Sequence, residues 1–229
     1  MNNRFMNSKW FYALLLAPVI SAIFALLHFG FVFKSGTAGF GILIVLILYF
    51  DRLWQAKDVW FIMAAFMFSI VGDWFLSNMD GDTGMFVSGI TFYFFAHIGY
   101  LLFALMNGKI KKVFTLILLA GYLVFFWMKI YPNIDNAILI LAAFIYLIIS
   151  CLSLGVAIGL RGNPVSKWTY VFGIFLILFS DTIIAYKEFV GFKELNFLIL
   201  PTYYLAHITI VFSLIKRHLV DFKEHEKNK

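Results

Sequence analysis

From Asn136 to Gly159 the chain reads NAILILAAFIYLIISCLSLGVAIG, 24 residues without a charged side chain. A helix needs about 20 apolar residues to cross the hydrocarbon of a bilayer. In lipid, a helix also satisfies its own backbone hydrogen bonds. Eight runs of this kind can be marked, at about 10–30, 37–54, 59–78, 85–106, 112–131, 136–159, 167–187 and 195–216. Turn-like stretches interrupt them: NMDGDTG at 78–84, NGKIKK at 107–112, YPNIDN at 131–136 and RGNPVSK at 161–167. The first run is too long for a signal peptide and lacks a convincing cleavage site, so it is expected to be a helix. Composition agrees, at 63% hydrophobic and 13% charged with a mean hydropathy of +0.92, against about 45–50% and about 25% in soluble domains. The expected fold is all-α, a polytopic membrane bundle of eight transmembrane helices forming a single transmembrane domain over 1–229.

The net charge of +6 does not point to nucleic acid, because the basic residues sit between apolar runs, where they set topology. With both termini on one side, that side holds Arg4, Lys9, Arg52, Lys57, Lys109, Lys111, Lys112, Arg161, Lys167, Lys216, Arg217, Lys223, Lys227 and Lys229. The other side holds Lys34, Lys129, Lys187 and Lys193, a split of 14 to 4. Positive residues mark the cytoplasmic side, so an even number of helices with both termini cytoplasmic is expected, in a multi-pass protein of a bacterial inner membrane. The single cysteine, Cys151, permits no intramolecular disulfide.

Within this apolar frame two acids fall inside helical runs: Asp73 in FSIVGDWFLSN and Asp181 in LILFSDTIIAY. Each lies on the third helix of a four-helix half, about 10–106 or 112–216. The next helix of each half matches as well, YFFAHIGYLL from Tyr93 and YYLAHITIVF from Tyr203. The Asp-to-His separations are similar, 97 − 73 = 24 and 207 − 181 = 26. Four helices per half give both halves the same direction, so the repeat is expected to be parallel, about an axis along the membrane normal.

An Asp at a helix centre costs about 2.5–3.5 kcal/mol on insertion scales, and intramembrane acids mark functional sites. Asp73 shares a helical face with Ser69 and Ser77, and Asp181 is flanked by Ser180 and Thr182. Both acids are expected roughly 8–12 Å below the outer boundary at about 1.5 Å per residue, facing one shared cavity. The alternative is that each merely locks the bundle by hydrogen bonding. His97 and His207 are expected deeper, about 18–20 Å in by the same rise, as a second layer. A metal held by two Asp and two His is conceivable, but no HxxxH or HxxE spacing supports it, and no metal or other cofactor is expected. Asp80 and Asp82 read as solvated turn residues, His28 as interfacial, and His218 and His225 as part of a basic tail.

The stretches GDWFL at 72–76, AHIGY at 96–100, FSDTIIA at 179–185 and YYLAHI at 203–208 resemble the YhhN-like lysoplasmalogenase family of eight-helix membrane proteins. The likeness is strongest on these four helices. Lys34 in FVFKSG looks like the family's Lys-Pro, with Ser35 in place of the Pro, and His207 stands where the family often has Gln. The resemblance implies that Asp73 and Asp181 are catalytic carboxylates and that the substrate is a lysophospholipid with a vinyl ether bond. Cleavage yields a fatty aldehyde and a glycerophospho-choline or -ethanolamine. This chemistry suits paired acids: one, protonated, acts as general acid towards a vinyl carbon. The other, ionised, steadies the oxocarbenium ion and orients water, as in glycosidases. Lys34, Tyr100 and Tyr204 are candidates to hold the phosphate head group, and His97 and His207 are further substrate-binding candidates. The expected partners are the lysophospholipid and membrane lipid, with no nucleic acid. Two rival classes fit a buried acid per half: a proton-coupled transporter and a non-catalytic lipid-binding or assembly protein.

Overall fold

The computed structural model describes residues 9–227, with side chains described for 10–222. Arg4 and Lys229 lie outside the described residues, as do the side chains of Lys9, Lys223, Lys227 and His225. Every regular element among the described residues is helical: α1 (Lys9–Ala13), α2 (Leu16–Leu26), α3 (Phe31–Tyr49), α4 (Lys57–Ser77), α5 (Thr83–Asn107), α6 (Lys112–Phe125), α7 (Ala137–Ala157), α8 (Pro164–Ala185) and α9 (Asn196–Lys227). Seven helical stretches are long and apolar enough to cross a membrane, and the first apolar helix, Trp10–Leu26, is shorter. The protein is an all-helical, multi-pass membrane bundle.

The expected first span, 10–30, is broken in two. Pro18 lacks the N–H that would bond the carbonyl of Leu14, and its ring crowds that carbonyl. The break falls there, with turn residues Leu14 and Leu15 between α1 and α2. The stretch ends at Leu26, where His28 at φ 62° and Gly30 at φ 102° turn the chain. The second span consequently starts earlier than expected, at Phe31 instead of 37. Lys34, expected in a connecting loop, therefore sits at the start of α3.

Side-chain caps set three other starts. Asp82 accepts from the Gly84 and Met85 amides, Asn136 from Ile138 and Leu139, and Asn163 from Val165 and Ser166. Each satisfies orphan N–H groups of a first turn, and Pro164 follows Asn163 at a position where proline is tolerated. Asp82 is therefore a helix cap as well as a turn residue. Two helices end in π-helical turns, α6 in Phe126–Ile130 and α8 in Tyr186–Val190.

The most extensive contacts are α4 with α5 and α8 with α9. In addition α3 packs on α2 and α4, α7 packs on α6 and α8, and the contacts α5–α7 and α3–α9 join the two ends of the chain. Small residues permit the closest approaches, as is usual where no hydrophobic drive separates helix from lipid. A Cβ on Gly99 would lie 2.5 Å from the Phe61 carbonyl oxygen of α4, and one on Gly173 would lie 2.6 Å from Ile210 of α9. One end of the bundle is tied by Asp58 of α4, which accepts from Arg217 of α9 and, at 2.8 Å, from Asn107 of α5. Beside them Arg52 donates to His218 Nδ1 at 3.0 Å. His218 thus belongs to the bundle and not to a free tail.

Candidate functional site

The other end is formed by the C-terminal ends of α4 and α8 and the N-terminal ends of α3, α5 and α9. A cavity of about 270 Å³ lies there, and Asp73 and Asp181 both line it. Asp73 lies four residues before the end of α4 and is 8% exposed. It accepts a short hydrogen bond from the Tyr93 hydroxyl of α5. Its Oδ2 is buried with no partner. The Tyr203 hydroxyl of α9 lies close enough to interact with Asp73 but outside hydrogen-bonding geometry.

Asp181 is held differently. Its Oδ2 accepts from the Tyr146 hydroxyl of α7 at 2.6 Å and lies 3.2 Å from His97 Nε2 of α5, whose N–H donates. The His97 ring meets the Tyr146 ring edge-on at 5.2 Å. His97 is buried behind Asp181 and does not itself line the cavity. The expected second layer, with histidines apart from the acids, is therefore corrected for His97. The helical body of α8 runs through the π turn to Val190, three residues beyond the expected end, so Asp181 lies nine residues before the end (190 − 181) against four for Asp73. The acids thus stand at unequal distances from their helix ends, yet share one cavity.

Two more side chains expected at the site line the cavity. Lys34 and Tyr204 are among the lining residues, and Lys34 Nζ donates to Ser77 Oγ at 3.4 Å. Tyr100 and His207 are not among them. Tyr100 is buried against the rings of Phe66 and His97. His207 Nδ1 is bonded to Thr37 Oγ1 at 3.2 Å, and its ring packs on Tyr203 at 4.4 Å.

Several cavity residues were not singled out in the sequence for the site: Tyr93, Tyr203, Asn196, Lys187 and Glu188, with Tyr146 as a hydrogen-bonding support. Tyr146 carried a legible signal, since a tyrosine within an apolar span needs a partner for its hydroxyl. Tyr93 and Tyr203 stand four residues before His97 and His207, hence on the same helical faces. Lys187 and Glu188 form an ion pair at 2.6 Å in the π turn after α8, which periodicity could not place at a cavity.

Four buried polar atoms without partners gather around this cavity: Asp73 Oδ2, Asn196 Oδ1, and the hydroxyls of Tyr203 and Tyr204. Buried polar groups are overwhelmingly paired in native proteins, so a cluster of orphans marks a place where a polar ligand or water completes the bonding. Pro201 removes one ladder hydrogen bond inside α9, and in this segment Ser180 donates to the Ile199 carbonyl at 3.1 Å. Among the described residues no three His, Cys, Asp or Glu side chains converge as a metal-binding group would require.

A model of the YhhN family matches residues 29–214. Neither a curated protein nor a solved structure matches the chain. The matched segment covers most of the chain and includes both acids, the cavity and every helix from α3 to the membrane-spanning part of α9, so the chain belongs to the YhhN family.

Proposed function

We propose that the protein is a membrane-embedded hydrolase that cleaves the vinyl ether bond of lysoplasmalogen-type lysophospholipids, with Asp73 and Asp181 as its catalytic carboxyls. The observation that carries this reading is the pairing of two intramembrane acids on one cavity edged with unpartnered polar atoms, in a chain of this family. Asp73 is assigned as the proton donor, because its Oδ2 is free of other bonds. Asp181 is assigned as the carboxylate, because its Oδ2 already accepts from Tyr146 and His97. The proton moves from Asp73 to the vinyl carbon next to the alkyl chain, leaving an oxocarbenium ion on the carbon bonded to oxygen. Water adds to that carbon and passes a proton to Asp181. As the hemiacetal breaks its bond to the glycerol oxygen, Asp181 gives that oxygen its proton, the hemiacetal hydroxyl passes its own proton to Asp73, and the aldehyde is released with both carboxyls restored. Lys34 and Tyr204 at the cavity edge are assigned to the phosphate head group.

The wider architecture belongs to the same proposal. Eight spans are reached if Trp10–Leu26 also crosses, since 17 residues reach about 26 Å against a core of about 30 Å. A parallel repeat of α2–α5 and α6–α9 is supported by the neighbour map: exchanging the halves turns α4–α5 into α8–α9 and α5–α7 into α9–α3, all of them contacts. The arrangement of basic residues supports cytoplasmic termini in a bacterial inner membrane.

The test is lipid mass spectrometry on purified protein given a panel of lysolipids. Aldehyde released from vinyl ether lysolipids alone, and lost in Asp73→Asn and Asp181→Asn, is the expected result. Binding or movement of the lipid without aldehyde would favour a carrier and refute the hydrolase.

A further inference from the structure

A second, smaller cavity of about 80 Å³ adjoins the first. Leu76, Phe86, Tyr93, Asp181 and Ile184 line both. From Asp181 it extends between α5, α6, α7 and α8, walled by residues such as Tyr122, Phe126, Ile130, Ala143 and Leu147. Both π-helical turns contribute, Phe126 and Ile130 from one and Phe189 from the other. Such turns are frequent at functional sites because they break the regular spacing of side chains.

The chemistry of this pocket is the opposite of its neighbour's. Apart from Asp181 at the junction, its polar side chains are bonded inside the protein. The Tyr122 and Thr182 hydroxyls bond each other at 2.8 Å, and Ser150 Oγ donates to the Tyr146 carbonyl at 2.8 Å. The Tyr146 hydroxyl is committed to Asp181. Among the described residues none of the buried unpartnered polar atoms belongs to a side chain lining this pocket, whereas four belong to the adjoining cavity. The small volume suits one slender occupant.

We infer that this pocket holds the hydrocarbon chain of a single-chain lipid, which enters past Asp181 while the polar head stays in the larger cavity beside Lys34, Lys187 and Glu188. The inference rests on the proposed hydrolase for the reaction at the junction, but the chain's place between α6 and α7 follows from the pocket itself. The Lys187–Glu188 pair stands on the head-group side. Ala143 is the position from which a larger side chain fills the pocket from α7.

The decisive experiment uses the wild-type protein and a non-hydrolysable saturated-ether lysophospholipid carrying a diazirine near the end of its chain. After irradiation, labelled peptides are expected from α6 and α7, including Tyr122 or Leu147, and competition by unlabelled lysolipid is expected to remove them. Label confined to α2 or α9, or spread evenly over the lipid-facing surface, would overturn the inference. As a second measurement, shortening the chain at a fixed mole fraction in the bilayer is expected to weaken competition step by step, because each methylene removed loses packing against the pocket wall and not withdrawal from water. Ala143→Trp is expected to flatten that series, and an unchanged series in a folded variant would also overturn it. Because the probe is not turned over, label in α6–α7 with no aldehyde from vinyl ether lysolipids leaves the chain site standing and refutes only the hydrolase.

Discussion

Replacing Tyr146 by Phe tests whether Asp181 works as a carboxylate held from outside the cavity. The substitution removes one oxygen and leaves the ring, which packs edge-on against His97 at 5.2 Å. The lost contact is the 2.6 Å hydrogen bond to Asp181 Oδ2, after which His97 is that oxygen's remaining donor. A hydrogen bond to a charged group contributes about 1.5–3 kcal/mol. If the bond matters chiefly when Asp181 faces the oxocarbenium ion, the rate falls by that amount, roughly ten- to 150-fold at 1.36 kcal/mol per decade. KM should stay within about twofold, since the bond does not face the head group. The assay is aldehyde release from a vinyl ether lysolipid in nanodiscs, with thermal melting run in parallel. Tyr170→Phe is the control. It removes a hydroxyl that is buried more deeply still, bonded to the Tyr100 carbonyl at 2.8 Å, in a ring packed on Phe103 away from the cavity. Equal losses of rate in the two variants, or no loss in Tyr146→Phe, would refute the assigned role of Asp181.

Further outcomes are expected elsewhere. Asp73→Asn and Asp181→Asn should each reduce turnover to background while the melting temperature shows both folded; measurable turnover in either removes that residue from the mechanism. Chelation with EDTA should leave the rate unchanged, because the assigned steps use two carboxyls and water, and loss of activity restored by zinc would instead bring His97 or His207 forward as a ligand. Gly99→Ala should lower the melting temperature, since its Cβ would stand 2.5 Å from the Phe61 carbonyl oxygen and overpacking costs about 1–3 kcal/mol. Gly121→Ala meets nothing within 4 Å and should be neutral or stabilising by up to about 1 kcal/mol. Arg217→Ala should destabilise the bundle without changing kcat, because it strips Asp58 of its charged partner at the end remote from the cavity.

Long apolar runs made the bundle legible, because spacing and length alone determine where a helix can cross lipid. The acids were legible for the same reason: a charge inside such a run has no cheap structural excuse. What stayed hidden was set by geometry that periodicity does not carry. The break at Leu14–Leu15 depends on one missing N–H at Pro18, and hydropathy counts Pro18 merely as one more residue within an apolar run. The contact between His97 and Asp181 joins α5 to α8 across 84 residues of sequence, and the helical continuation of α8 to Val190 lies beyond it. A π turn has no residue signature that a 3.6-residue period would reveal. The same two π turns supply Phe126, Ile130 and Phe189 to the apolar pocket, so the irregular ends of α6 and α8 shape what adjoins Asp181. The two acids therefore differ in their surroundings. Asp73 keeps one buried oxygen free of hydrogen bonds, and Asp181 is bonded by Tyr146 and His97 and borders the apolar pocket. Two matching Asp residues in the sequence gave no hint of that inequality, yet an acid and its carboxylate partner cannot have identical surroundings and still hold their proton on one side.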